Sequence, residues 1–155
     1  VATARSYLGV PFVHNGRTRF GLDCVGLLIV TGQALALLDH FQDDTYGRHI
    51  DAARLRAELE TYLTPLPEPT AYQEAVPWQP GDVLLFTIRR NPQHTALLTE
   101  TGPEPRFIHA CQSARRVVEA RLDSRWQERL VGVFRWKAFP IPEPHRPTYF
   151  ERDVP

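Results

Sequence analysis

The sequence predicts an α+β fold, with N-terminal helices packed on a central antiparallel sheet of about five strands. Three observations lead there. The apolar residues before position 64 follow a helical period, those of 78–137 fall in short strand-like runs, and the connections between those runs are short. A chain of 155 residues, 43% hydrophobic and 23% charged, is long enough and apolar enough for one domain with its own core.

Residues 2–8 read as a short helix leading to Gly9-Val10-Pro11, and 12–22 as a loop containing Gly and Arg. Asp23 is a good N-cap, and Cys24–Leu38 then runs as a helix apolar nearly all round, which marks it as central and buried. Residues 39–50 read as polar loop. Asp51 caps a second helix to about Leu63, ended by Thr64-Pro65-Leu66-Pro67. Pro80-Gly81-Asp82 is a turn into a buried strand, Val83–Ile88. His94–Thr99, Arg106–Cys111, Val117–Leu122 and Val131–Lys137 are four further strands, and Asp123 or Ser124 caps a helical turn before the last. One domain is therefore expected over 1–139. Residues 140–155 hold five prolines and no helix or strand period, and are expected to form an extended arm.

Charge narrows the partners. Eighteen basic and eighteen acidic residues balance to +0, so no footprint for nucleic acid or an anionic membrane is visible. No apolar run approaches the ~20 residues of a membrane span. The first ten residues, VATARSYLGV, show no basic stretch before an apolar core, so no signal peptide is visible. Two cysteines, Cys24 and Cys111, are too few for a disulfide framework, and the surroundings of Cys24 argue for a free thiol.

Those surroundings are chemical. Cys24 opens an apolar helix directly after its N-cap. Unpaired N–H groups and the positive end of the helix dipole both favour a thiolate, the nucleophilic form. On this reading Cys24 is expected to be mainly thiolate near neutral pH. The alternative is a buried structural cysteine. A thiol nucleophile needs a base that later protonates the leaving amine, and histidine suits that role. His40, His49 and His145 lie in polar or proline-rich segments and are expected on solvated surface, while His14 sits in the loop before Cys24. His94 opens one strand and His109 lies mid-way along the next. A register that sets them directly opposite brings their side chains onto one face at ~5 Å. One imidazole then takes the proton and the other fixes its tautomer. Zinc is the competing reading, with Cys24, His94 and His109 as ligands and His14 or Cys111 as a fourth. No short-spaced ligand pair such as C-x-x-C is present to support it. No metal and no cofactor are expected.

The motifs also carry a resemblance. Leu8-Gly9-Val10-Pro11-Phe12, Gly16-Arg17 and Gly21-Leu22-Asp23-Cys24-Val25-Gly26-Leu27 resemble the nucleophile region of NlpC/P60 peptidases. Pro80-Gly81-Asp82-Val83-Leu84-Leu85-Phe86 is similar to the family's strand before the catalytic histidine. His94-Thr95-Ala96-Leu97-Leu98 is similar to the histidine strand, and Phe107-Ile108-His109-Ala110 to the strand with the third polar residue. Together they span roughly residues 6–137. The resemblance implies a papain-like fold and a Cys24, His94, His109 triad. It also implies hydrolysis of peptidoglycan stem peptides, usually at the bond after γ-D-glutamate. Pro-Phe-x-His-x-Gly-Arg at 11–17 and Asp-Cys-Val-Gly at 23–26 look most like phage tail-associated members. That branch implies neighbouring tail proteins as partners and a place at the virion tail tip, acting in the host periplasm or cell wall. Cell-wall housekeeping members carry Tyr where this chain has Phe12 and Ser where it has Val25. In them these residues, with the Asp before the Cys, shape the substrate site. The expected substrate-binding set here is Asp23, Phe12, His14, Arg17 and Val25, with His14 or Arg17 supplying the polar groups that Phe12 and Val25 lack. Two rival readings are a structural tail subunit that has lost activity and a cysteine amidase on another amide.

Overall fold

A computed structural model describes residues 1–38, 51–67, 77–88 and 91–138. Among these the elements run α1 (Ala2–Arg5), β1 (Arg17–Thr18), β2 (Gly21–Leu22), α2 (Cys24–Ala34), α3 (Ala52–Tyr62), β3 (Leu63–Pro65), β4 (Val83–Ile88), β5 (Asn91–Glu100), β6 (Arg106–Cys111), β7 (Arg116–Arg121), α4 (Ser124–Gln127) and β8 (Leu130–Trp136). The expected helices and five expected strands are all present. The proposed arm at 140–155 and the histidines His40, His49 and His145 lie outside the described residues.

The main sheet has six strands in the order β3-β8-β4-β5-β6-β7, every neighbour antiparallel. Short connections link β4 to β7 in succession, and β8 returns to lie beside β4. The sixth strand, β3, is hidden in sequence by its own proline. Pro65 reads as a helix stop, yet it pairs with Phe134 at the edge of the sheet, where a missing N–H is tolerated. A second small sheet, β1 with β2, folds residues that the sequence presents as loop.

Alternation along the strands gives the sheet two apolar faces. Val83, Leu85, Leu97, Ile108, Ala110 and Phe134 face one layer, which α2 fills with Val25, Leu27, Leu28 and Ile29. The near-uniform apolar character of α2 follows from this, since both α1 and the sheet cover it. Leu84, Phe86, Ala96, Leu98, Phe107 and Val133 face the other layer, closed by Leu66, Leu122 and the half-buried Trp126 of α4. Asp123 caps α4, its Oδ1 accepting from the Trp126 N–H at 3.1 Å.

Asp82, which reads in sequence as part of a turn, is buried with Arg135 of β8. Arg135 donates through Nε at 2.9 Å and through a terminal nitrogen at 2.8 Å, and that nitrogen also reaches the Pro77 carbonyl at 3.1 Å. The paired fork fixes the turn before β4 against β8.

Candidate active site

Cys24 stands at the first position of α2, and Asp23 holds that helix start in place. Asp23 Oδ1 accepts from Gly26 N–H at 2.8 Å, the cap expected from sequence. Its Oδ2 accepts from Asn15 N–H at 2.8 Å, and His14 Nδ1 lies 3.6 Å away. Asp23 is 3% exposed, so this carboxylate is a clamp between α2 and the loop at 14–16. The same loop passes so close that a Cβ on Gly26 would collide with the Gly16 carbonyl oxygen. Only glycine fits there.

The Cys24 sulfur rests against the start of β5, 3.9 Å from the carbonyl oxygen of Gln93. His94 follows immediately. Its side chain extends toward the second core layer, where Nε2 lies 2.8 Å from His109 Nδ1. The two rings meet edge to face with centroids 5.0 Å apart. His109 is 2% exposed.

The register between the two histidine strands differs from expectation. Leu97 pairs with Ile108 and Leu98 with Phe107, two residues away from the pairing that sets His94 directly across from His109. A two-residue shift preserves the face, so the imidazoles still meet, now as diagonal neighbours. The turn between the strands and the irregularity between Leu98 and Glu100 set this register, and neither is visible in the apolar pattern.

Trp126 roofs the histidine pair. Its ring lies 5.9 Å from that of His94 and 5.2 Å from that of His109, and it also meets Phe86 at 4.9 Å and Phe107 at 5.0 Å. Sequence reasoning did not single it out. The signal was a tryptophan two residues into an Asp-capped turn, just before the last strand.

The electrostatics of the site run against one expectation. Burial, with the Asp23 carboxylate beside it, pushes the Cys24 thiol up to about 11, against smaller opposing contributions from Thr95 and Val25. Burial, reinforced by His109, lowers His94 to about 3, and burial lowers His109 to about 4. Desolvation disfavours every charged form here and outweighs the helix terminus. All three shifts run toward a neutral thiol and two neutral imidazoles at rest, against the expected thiolate.

The remaining expected residues divide. Phe12 is half-buried, bonded through its N–H to the Arg115 carbonyl at 2.9 Å, and Val25 packs in the core. His14 stands beside Asp23, against the helix start. Arg17 is half-buried on β1 and lines a shallow depression of about 460 Å³ with Val13, Asn15, Gly16, Thr18 and Phe20. Phe20 at its rim is 90% exposed. Among the described residues no group of three or more His, Cys, Asp or Glu is placed to hold a metal ion, and Cys24 and Cys111 are both free.

A helix-on-sheet domain with a cysteine at the helix start, lying against a strand that carries a bonded histidine, has the layout of papain-like thiol enzymes. The sequence profile of the NlpC/P60 family matches residues 9–135, and the chain belongs to that family. Two solved structures are similar in fold. The NlpC/P60 domain of the peptidoglycan hydrolase SagA is 20% identical with a TM-score of 0.55, over 85% of this chain and 92% of that one. An NlpC/P60 family protein from Bacillus cereus ATCC 10987 is 19% identical with a TM-score of 0.57, over 91% of this chain but 39% of that one. This chain thus spans well under half of the second protein. A search of curated proteins gave no match.

Proposed function

We propose that this chain is a cysteine peptidase that hydrolyses amide bonds in peptidoglycan stem peptides, next to γ-D-glutamate. The observation that carries the reading is the Cys24 sulfur set against the residue before His94, with His94 Nε2 engaged by His109. Family membership and the likeness to a peptidoglycan hydrolase domain support the substrate.

Because Nε2 faces His109, Nδ1 is the His94 nitrogen available to the thiol. With both rings neutral, one proton lies between Nε2 and His109 Nδ1. If His94 donates it, His94 Nδ1 carries a lone pair and is a base. Cys24 Sγ then attacks the substrate carbonyl as its proton passes to Nδ1, and His94 returns that proton to the leaving amine. Water hydrolyses the thioester, with His94 again as base. His109 holds the tautomer throughout, and the Cys24 backbone N–H at the helix start faces the developing oxyanion.

The same reading places the protein with phage tail proteins at a virion tip, acting on the host cell wall, and gives residues 140–155 an anchoring role there. Deleting 141–155 should then spare hydrolysis of a soluble stem peptide and weaken incorporation into particles. The rival reading, a structural subunit without turnover, draws on Phe12 and Val25, whose side chains bring no polar group. Digesting purified peptidoglycan and weighing the fragments by mass spectrometry decides between them. Fragments cut after γ-D-glutamate, absent with Cys24→Ala, support the peptidase; no fragments from the folded wild type would overturn it.

A further inference from the structure

Beside the nucleophile lies a buried hydroxyl that the hydrolytic steps leave unused. Alternation along β5 sends His94, Ala96 and Leu98 to the second core layer, and Thr95 and Leu97 to the α2 side. Thr95 is 0% exposed, and its Oγ1 is buried without a well-formed hydrogen bond, although it lies close enough to the Cys24 sulfur to act on it. A buried hydroxyl without a well-formed bond is unfavourable, and valine would fill the same space without that penalty.

The sulfur beside it has the complementary need. As a neutral thiol, Cys24 donates toward the Gln93 carbonyl. Once ionised it can only accept, and that carbonyl becomes a repulsive neighbour. A thiolate on this wall needs donors, and the Thr95 hydroxyl is one within reach. Both the Thr95 hydroxyl and its backbone N–H act on Cys24 in the direction that favours the thiolate.

We infer that Thr95 stabilises the Cys24 thiolate, its hydroxyl turning onto the sulfur as the thiol loses its proton. This rests on the reading of Cys24 as nucleophile. The thiol proton goes to His94 Nδ1, and the Thr95 O–H bond stays intact.

The test is the rate of iodoacetamide alkylation at Cys24 in the full chain, resolved from Cys111 by peptide mass spectrometry, together with the thermal midpoint. At pH 9, Thr95→Val should react about tenfold more slowly than wild type, the loss expected for one charge-assisted hydrogen bond. Its thermal midpoint should hold or rise. Thr95→Ser should return the rate to within about twofold of wild type. An unchanged rate in folded Thr95→Val overturns the inference, as does a slow rate that Thr95→Ser fails to restore. If Thr95→Val does not fold, Thr95→Ala carries the same comparison. None of these readouts uses peptidoglycan, so failure of the proposed activity is seen separately.

Discussion

His94 and His109 share one hydrogen bond, yet their roles in it are unequal. His94 Nε2 is engaged by the buried His109, so Nδ1 is the nitrogen that the proposed mechanism assigns to the thiol proton. On the proposed mechanism, replacing Cys24 or His94 by alanine should lower turnover by at least ~10³-fold with the fold retained, since each would remove an atom that makes or breaks a bond. His109→Ala should lose only ~10–100-fold, because a tautomer can form without its partner, though less often. Stem-peptide hydrolysis by the three variants checks this. Complete loss in His109→Ala with activity kept in His94→Ala would exchange the two roles. The placement of these residues was legible in sequence, because a helix-opening cysteine and strand histidines are local patterns. The charge state was not. It depends on how deeply helix and strand bury the site, and on Asp23 lying so close, neither of which a motif records.

At the scale of elements, α4 shows how much can depend on one turn. Four residues, capped by Asp123, place Trp126 over both imidazoles and against Phe86 and Phe107. Trp126→Ala should destabilise the fold by about 1.5–2.5 kcal/mol, half the range for a fully buried aromatic. It should also admit water to the pair and raise both histidine pKa values toward the ordinary 6.5. Histidine titration by NMR reads the change directly; unmoved values would mean that the indole is packing and not a shield. Longer elements were readable in sequence because their periods repeat several times. The two-residue strands β1 and β2 have no period to read, and β3 carries a proline that signals a stop. The β5–β6 register and the Asp82–Arg135 pair join residues far apart in the chain, and nothing local announces them.

For the whole molecule, the buried neutral groups set a pH window. His94 and His109 titrate near 6.5 when unfolded and at about 3 and about 4 when folded. Below pH 6.5 the unfolded chain therefore binds more protons, and stability falls as pH drops toward 4. The loss should reach roughly 3 kcal/mol or more by pH 4, since each tenfold change in a protonation equilibrium is worth about 1.4 kcal/mol. Cys24 works at the other end. Its folded pKa lies above the ordinary 9.0, so stability falls as pH rises from there toward 11. Urea unfolding should show a plateau between about pH 6.5 and 9, and His109→Gln should flatten the acid side. An unfolding free energy constant from pH 7 to 4 would contradict the burial of the pair.

The neutral thiol also bears on how long such a protein survives. Peroxide attacks thiolates, and its rate follows the fraction ionised and the access to sulfur. A sulfur that stays protonated until a carbonyl arrives presents little of that target while idle. Cys24 should therefore outlast a free cysteine in dilute hydrogen peroxide at pH 7 by about tenfold or more, followed as sulfinic acid formed at that peptide. Oxidation as fast as that of the free amino acid would mean that the sulfur is already ionised. On this account the desolvation that makes Cys24 slow to ionise also gives it shelf life, leaving its chemistry unspent until a substrate arrives.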